Sequence, residues 1–239
     1  MQPFNVILVP QGQEYKAVVG GLKPIASSKI QVVPIPIGSE YLTLYLQQWL
    51  ESEAVKSLSS IQVLVLGLCG GLSPHLNVGD VVVYQHCLEP ISETFSQNPQ
   101  ENVWACDLDL TLSLHQNLIP SHLVRGLTSK QVITTAYQKQ QLSQQYDVEA
   151  VDMEGRVLLE LLTKVGIKVA MVRVVSDDCS QNLPDLTTVI DSQGNLQTFP
   201  FIKVMLQHPR EAFTLVRNGL KSLQTLQQIT QKLQRLKFV

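Results

Sequence analysis

The sequence predicts an α/β protein, a three-layer sandwich in which helices flank a central mixed, largely parallel β-sheet. Short runs rich in Val, Ile and Leu lack alternation with polar residues, as is typical of strands covered on both faces. Segments with helical spacing of apolar residues lie between these runs, which favours crossover connections. A composition of 44% hydrophobic and 16% charged residues is that of a globular chain with a sizeable core.

Six apolar runs are predicted as strands and four intervening segments as helices. The strands cover residues 5–9, 30–35, 61–66, 80–84, 148–151 and 168–175. The helices cover residues 40–57, 108–118, 137–146 and 153–165. Two further stretches, 92–102 and 179–200, are rich in turn residues and are predicted as long loops of the kind that form lids or binding segments.

The C-terminal segment carries apolar residues at steps of three or four, which predicts one more amphipathic helix. These residues are Val216, Leu220, Leu223, Leu226, Ile229, Leu233 and Leu236. Such a face could form a coiled-coil arm for a partner or dock on the sheet of the same chain. We favour docking, because a helix beside a sheet normally buries its apolar face there.

Charge and cysteine usage exclude several classes of protein. With 18 basic and 20 acidic residues spread along the chain, there is no basic stripe for nucleic acid or an anionic membrane. The four cysteines form no C-x-x-C pair and the five histidines show no ligand spacing, so no metal site is expected. The N-terminus lacks a cationic leader, and the longest apolar run is about half a bilayer span, so we expect a cytoplasmic protein without membrane insertion.

A glycine-rich segment, residues 67–72, follows the predicted strand 61–66. Glycines at the carboxyl end of a strand let backbone N–H groups approach an anion or a sugar closely, and that end is where open α/β sheets bind ligands. The segment matches neither a Walker loop nor a G-x-G-x-x-G fingerprint. A plain tight turn is the alternative interpretation.

Carboxylates stand at the ends of three other predicted strands. Glu154 falls in a first helical turn, where it could bind ligand hydroxyls or simply cap the helix. Asp177 and Asp178 follow a buried strand, where one acid could raise the pKa of the other and create a proton donor, or merely cap a loop. Glu14 follows the first strand in the turn 10–14. Together with the glycine-rich segment, these carboxylates make four sites at the ends of four strands, which predicts one shared pocket.

Three segments in register, 70–83, 151–154 and 173–177, resemble the nucleoside phosphorylase and nucleosidase superfamily. That superfamily contains purine nucleoside phosphorylases and methylthioadenosine/S-adenosylhomocysteine nucleosidases. The resemblance covers nearly the whole chain and implies a single domain over residues 1–239. Residues 127–135, together with 182–185 and 191–194, are most similar to the hopanoid-associated phosphorylase branch.

The resemblance implies catalytic roles for three residues. Asp177 matches the acid that protonates N7 of the purine leaving group, and Ser176 stands beside it as its support. Glu14 matches the carboxylate that orients the attacking water in the nucleosidases.

The resemblance also implies how the substrate is held. Met153 would pack under the ribose, while Glu154 would accept hydrogen bonds from its hydroxyls. The backbone of Gly70 and Gly71 would line the side of the nucleophile. The residues expected near the base are Gln131, Val132 and Ile133.

Two departures from the family pattern bear on the nucleophile. Leu68 stands where the family usually has a Ser or Thr that contacts phosphate or water. The first arginine of the chain is Arg125, although phosphorolysis commonly uses an Arg to grip phosphate. The N-terminal half offers only Lys16, Lys23, Lys29 and Lys56. These departures favour water, a weakened phosphate site or lost activity, whereas the hopanoid-branch similarity favours phosphorolysis.

The predicted function is cleavage of the N-glycosidic bond of a purine nucleoside or adenosyl derivative, by phosphorolysis or by hydrolysis. Inorganic phosphate is a candidate co-substrate, and no other cofactor is implied. The alternative is a degenerate family member that binds a nucleoside with little turnover. The family also implies a homo-oligomer.

Overall fold

The structure, a computed structural model, describes residues 4–23, 30–52, 61–90, 102–184 and 209–239. Its strands are β1 (Val6–Pro10), β2 (Gln31–Ile35), β3 (Gln62–Gly71), β4 (Val81–Leu88), β5 (Val103–Ala105), β6 (His122–Thr128), β7 (Ala150–Asp152) and β8 (Lys168–Asp177). Its helices are α1 (Gln13–Gly21), α2 (Ser39–Glu51), α3 (Leu108–Asn117), α4 (Ala136–Tyr146), α5 (Gly155–Lys164) and α6 (Pro209–Arg235).

All eight strands belong to one mixed sheet. The order is β2-β1-β3-β7-β6-β4-β5, and β8 pairs with both β3 and β4. Five of the pairings are parallel and three are antiparallel. The predicted α/β class with a largely parallel sheet and flanking helices is therefore confirmed. Because β8 bridges β3 and β4, the strands β3, β7, β6, β4 and β8 also close into a ring.

The two faces of the sheet carry separate apolar cores. Along β3, Val63 and Val65 point into one core, and Leu64 and Leu66 point into the other. This is the two-residue alternation of a strand that is covered on both faces. Helices α2 and α5 cover the first core, while α1, α3 and α6 cover the second. Near-continuous apolar strands therefore place helices on both sides of the sheet.

The glycine-rich segment 67–72 is not a turn. Strand β3 continues to Gly71, because residues 67–70 pair with residues 173–177 of the parallel strand β8. A register shift between Cys69 and Gly70 marks an irregularity in this pairing. The prediction that the strand ends at Leu66 is wrong, because glycine here permits close packing against charged side chains instead of ending the strand.

Two other predictions need correction near the N-terminus and in the middle of the chain. The predicted turn 10–14 is shorter, since α1 begins at Gln13 and Glu14 lies in its first turn. Three elements were not predicted, namely β5, β6 and α1. Strand β6 alternates only weakly, and its burial comes from β4 and β7 on either side.

The C-terminal helix α6 docks on the sheet, as favoured from its sequence. Leu226, Ile229 and Leu233 are buried in the same core as β1, β3 and β8. The predicted apolar face does not stay on the sheet along its whole length, since Val216 is 48% exposed and Leu220 64% exposed. Polar residues take the inward positions there: the Ser222 hydroxyl donates to the Val175 carbonyl over 2.7 Å.

Some sequence predictions fall on residues outside the described part of the chain. They are most of the loop 92–102, residues 185–200 of the second loop, and residues 53–57 of the predicted helix 40–57, whose described part ends at Glu51. Within the described ranges, no helix has both the length and the apolar character needed to cross a bilayer.

Leu226→Ala tests the docking of α6. Its side chain is fully buried, so the substitution leaves a cavity and should lower the free energy of unfolding by about 2–5 kcal/mol. Leu220→Ala is the matched control on the same helix, and its exposed position predicts a change within about 0.5 kcal/mol. Equal effects of the two substitutions in chemical denaturation would contradict this packing.

Candidate active site

A cavity of about 250 Å³ opens at the carboxyl ends of β1, β3, β7 and β8. It brings together nine of the ten residues predicted for the site; Gly71 is the exception, since it does not line the cavity. The lining residues are Pro10, Glu14, Ile37, Leu68, Cys69, Gly70, Gln131, Val132, Ile133, Val151, Asp152, Met153, Glu154, Ser176, Asp177 and Leu183. Strands β1, β3 and β8 are parallel, so their carboxyl ends meet at one edge of the sheet. Strand β7 runs antiparallel to β3 but pairs with its last two residues, Gly70 and Gly71, which brings the residues after β7 to the same cavity.

Glu14 reaches the cavity from the first turn of α1. Its Oε2 accepts a hydrogen bond of 2.7 Å from the backbone N–H of Leu68. Burial raises the pKa of Glu14 from 4.5 to about 7, and the nearby Arg173 opposes this rise. A carboxyl group with a pKa near neutrality can both accept and release a proton under physiological conditions.

Arg173 lies beneath the cavity in the middle of β8 and is fully buried. Its Nη2 is 3.2 Å from Asp152 Oδ2 and 3.5 Å from Glu154 Oε2. Nη1 of Arg173 and Oε2 of Glu14 occupy the space that a Cβ atom at Gly67 would need, so only glycine fits at this strand position. Among the described residues, Nε and Nη1 have no hydrogen-bond partner. Three carboxylates thus surround one buried guanidinium.

Asp152 positions this guanidinium and the start of α5 together. Its Oδ2 faces Arg173, while Oδ1 accepts hydrogen bonds from the Thr128 hydroxyl over 2.9 Å and the Gly155 N–H over 3.1 Å. Asp152 and Arg173 were not singled out from the sequence. The available signal was an arginine inside the most hydrophobic strand, since such a residue needs a buried partner.

Glu154 is the residue immediately before α5. It therefore precedes the first helical turn instead of lying in it, as was predicted. Its Oε1 accepts a hydrogen bond of 3.1 Å from Gly38, whose φ of 86° is readily reached only by glycine. The Ser39 hydroxyl donates to the Met153 carbonyl over 3.1 Å, so the start of α2 holds both ribose-site candidates. Burial raises the pKa of Glu154, and Arg173 opposes that rise.

Asp177 lies at the end of β8 with a donor at each carboxylate oxygen. Oδ1 is 2.7 Å from the Ser176 hydroxyl, which is also 3.1 Å from the Cys69 carbonyl. Oδ2 is 2.6 Å from the ammonium of Lys139, a residue that no sequence pattern had indicated. Gly70 packs directly against this carboxylate, 3.2 Å from Oδ2 to the position of an added Cβ.

The neighbouring acid, Asp178, has a different role. Its Oδ1 accepts hydrogen bonds from Ser180, and its Oδ2 accepts one of 2.8 Å from Gln181. Asp178 does not line the cavity. Of the two adjacent acids, Asp177 faces the cavity and Asp178 caps the loop that follows β8.

The cavity wall is mostly apolar, and every charged residue that lines it in the described part of the chain is acidic. These four residues are Glu14, Asp152, Glu154 and Asp177. No group of three or more His, Cys, Asp or Glu residues arranged to hold a metal ion occurs within the described ranges. The wall also includes four residues from outside the strands and helices, namely Gln131, Val132, Ile133 and Leu183. The site can therefore hold a neutral, partly apolar molecule with hydroxyl groups directed at carboxylates.

A sequence profile of the phosphorylase superfamily matches residues 48–199, and the chain belongs to this superfamily. The chain is 23% identical, over 184 residues, to a purine nucleoside phosphorylase of the DeoD type from Buchnera aphidicola subsp. Baizongia pistaciae (strain Bp), covering 74% of this chain and 73% of that protein.

Two solved structures from Helicobacter pylori share this fold at 15% identity. One is the 5′-methylthioadenosine/S-adenosylhomocysteine nucleosidase with butyl-thio-DADMe-Immucillin-A, with a TM-score of 0.70 over 98% of this chain and 99% of that chain. The other is futalosine hydrolase, with a TM-score of 0.72 over 98% of both chains.

Glu14→Gln tests the burial of this carboxyl group through the pH dependence of stability. Because the folded state holds the Glu14 proton up to about pH 7 and the unfolded state releases it near 4.5, the stabilising contribution is fully present below 4.5 and is lost as the pH rises through 7. At about 1.4 kcal/mol per pKa unit, wild type should lose about 2–3 kcal/mol between pH 5 and pH 8 relative to the variant.

The matched control is Glu40→Gln, an exposed glutamate in the first turn of α2. Its free energy of unfolding should follow that of wild type at both pH values. A wild-type protein whose stability relative to Glu14→Gln does not change between pH 5 and pH 8 would show that Glu14 titrates as an ordinary surface acid.

Proposed function

We propose that this protein hydrolyses the N-glycosidic bond of a purine nucleoside or adenosyl derivative. The observation that carries the proposal is Glu14, a carboxyl group with a pKa of about 7 that lines the same cavity as Asp177. Hydrolysis of this bond needs a base that accepts a proton from water and an acid that protonates the departing purine. Glu14 would serve as this base and Asp177 as this acid.

The charges around the cavity suit the change that the substrate undergoes. As the glycosidic bond breaks, the ribose becomes electron-poor and the purine gains negative charge. Glu154 lies close to Arg173 and accepts a hydrogen bond from the Gly38 N–H. It would also accept hydrogen bonds from the ribose hydroxyls. Met153 would pack under the sugar, and Asp177, supported by Ser176, would deliver a proton to N7. Gln131, Val132 and Ile133 would contact the base.

Water is favoured over phosphate by the charges of the cavity wall. Within the described part of the chain, the wall has four carboxylates and no lysine or arginine. A phosphate dianion would be repelled there, whereas water can donate a hydrogen bond to Glu14 and lose its proton to it. Leu68 adds an apolar side chain where the family usually places a hydroxyl.

Phosphorolysis remains the competing proposal, with its own support. Residues 127–135 and 182–194 resemble hopanoid-associated phosphorylases, and a relative with 23% identity is described as a purine nucleoside phosphorylase. The buried Arg173, with two nitrogens that have no hydrogen-bond partner among the described residues, is the group that could attract an anion. Its three carboxylate neighbours oppose this use.

A product assay distinguishes the two nucleophiles. The protein is incubated with adenosine, inosine, methylthioadenosine or S-adenosylhomocysteine, with and without phosphate, and free base and sugar phosphate are measured. Hydrolysis predicts base release at the same rate without phosphate and no sugar phosphate. Base release that requires phosphate would establish phosphorolysis. Binding of a nucleoside by calorimetry without any base release would favour a protein that binds nucleosides with little turnover.

Asp177→Asn and Asp178→Asn form a matched pair for the acid. Loss of the proton donor should lower kcat by about 10²–10⁴-fold in Asp177→Asn, with little change in KM because the sugar contacts remain. Asp178→Asn, whose side chain caps the following loop, should keep kcat within about threefold of wild type. Comparable kcat losses in both variants would mean that the acid is wrongly assigned.

The pH dependence of the reaction follows from Glu14. The general base must be ionised, so kcat/KM should rise with pH through about 7, the pKa of Glu14, with a slope of one on a logarithmic plot. Glu14→Gln should lose this rising limb together with most of its activity. A rate that stays flat between pH 5 and pH 8 in wild type would exclude Glu14 as the base.

A further inference from the structure

Helix α4 turns one charged residue into the protein interior. Lys139 is the only one of its eleven residues that is buried, and its side chain is 0% exposed. Its ammonium donates hydrogen bonds to three oxygens: 2.6 Å to Asp177 Oδ2, 2.7 Å to the Asp178 carbonyl and 3.3 Å to the Gln181 carbonyl. All three protons of the ammonium are therefore used, and none faces the cavity.

Burying a lysine has a cost that ordinary packing does not explain. Removing an ammonium from water is unfavourable by several kcal/mol unless a paired charge and hydrogen bonds compensate. A leucine or methionine would fill the same space under this polar helix without that cost. The only side-chain carboxylate that Lys139 pairs with among the described residues is Asp177, the candidate acid.

We propose that Lys139 stores the proton that Asp177 delivers to the leaving base; this inference rests on the proposed cleavage of a nucleoside. Ionised lysine with ionised aspartate, and neutral lysine with neutral aspartic acid, differ only in the position of one proton. Nζ and Oδ2 are 2.6 Å apart, so the proton can pass between them without movement of either side chain. Lys139 does not touch the substrate, so it acts through Asp177.

The proton balance is complete with groups that the site contains. The Nζ–H bond of Lys139 breaks as an O–H bond forms on Asp177, and Asp177 then gives this proton to the purine N7. The electron pair of the glycosidic bond moves to the base, which leaves as the neutral purine. The attacking water gives a proton to Glu14, which releases it to solvent. Before the next turnover, the carboxylate of Asp177, which lines the cavity, takes up a proton from solvent and passes it to the neutral amine of Lys139.

The alternative is that Lys139 only fixes the backbone after β8 through the carbonyls of Asp178 and Gln181. The two roles differ in which substrates they affect. A structural clamp serves every substrate, whereas a proton store matters only for a leaving group that must be protonated. N7-methylated nucleosides and 4-nitrophenyl β-ribofuranoside need no proton, because the first leaves from an already cationic base and the second leaves as a stable phenolate.

The test compares wild type with Lys139→Met and Lys139→Gln on three substrates: the best purine nucleoside, its N7-methylated form and 4-nitrophenyl β-ribofuranoside. We expect kcat for the nucleoside to fall by about 10²–10³-fold with KM within about threefold. The kcat for the two proton-independent substrates should fall by less than about tenfold. Thermal unfolding of each variant gives the folded fraction by which kcat is normalised.

Lys139→Arg separates charge from proton supply. Arginine keeps a cation beside Asp177 but does not release a proton in proteins, so its kcat for the nucleoside should stay as low as that of Lys139→Met. Recovery of nucleoside turnover in Lys139→Arg, or an equal loss on all three substrates in Lys139→Met and Lys139→Gln, would overturn the proposal. Failure of the proposed function is a separate result, since wild type itself would then release no base or phenolate.

Discussion

The site depends on the interactions of the buried guanidinium of Arg173 with the acids around it. It sits between Glu14 of α1 and the pair Asp152 and Glu154, which are two residues apart at the end of β7. Without a cation in their midst, buried carboxylates would repel one another and take up protons. With it, the pKa values of Glu14 and Glu154, which burial raises, stay lower than they would be without the guanidinium. One cation therefore lets several carboxyl groups share the same buried surroundings.

The pairing of β3 with β8 fixes the positions of these charged groups. Residues 67–70 run alongside residues 173–177, and the glycines among them leave room for Arg173, Glu14 and Asp177. The strand thus continues through the site and carries no side chains at the positions of closest approach. The same pairing brings the Leu68 N–H to Glu14 and the Cys69 carbonyl to Ser176. The part of the site around Asp177 therefore rests on paired strands.

Local sequence signals predicted the class of fold and the acids of the cavity, because strand ends are local features, whereas the residues expected at the ribose and the base came from the family resemblance. Glu14 and Asp177 follow strands that are parallel to β3, which brings them to one edge of the sheet. Glu154 reaches the same cavity because β7, although antiparallel to β3, pairs with the last residues of that strand. Arg173, Asp152 and Lys139 were missed for the opposite reason. Their significance lies in burial and in partners from distant segments, such as Lys139 of α4 against Asp177 of β8. Where β3 ends, and which part of α6 lies against the sheet, depend on packing between distant segments, which local sequence patterns do not contain.

The ring of β3, β7, β6, β4 and β8 has a consequence for how the cavity forms during folding. These strands come from segments spread between Gln62 and Asp177, and the closing contacts join the first of them to the last. Such non-local pairing carries a large loop-closure entropy and forms slowly compared with local helices. The cavity lies where the ring closes, so no fragment of the chain that lacks β8 can hold a partial version of the site. Formation of the cavity therefore depends on the same pairing of β8 that closes the ring.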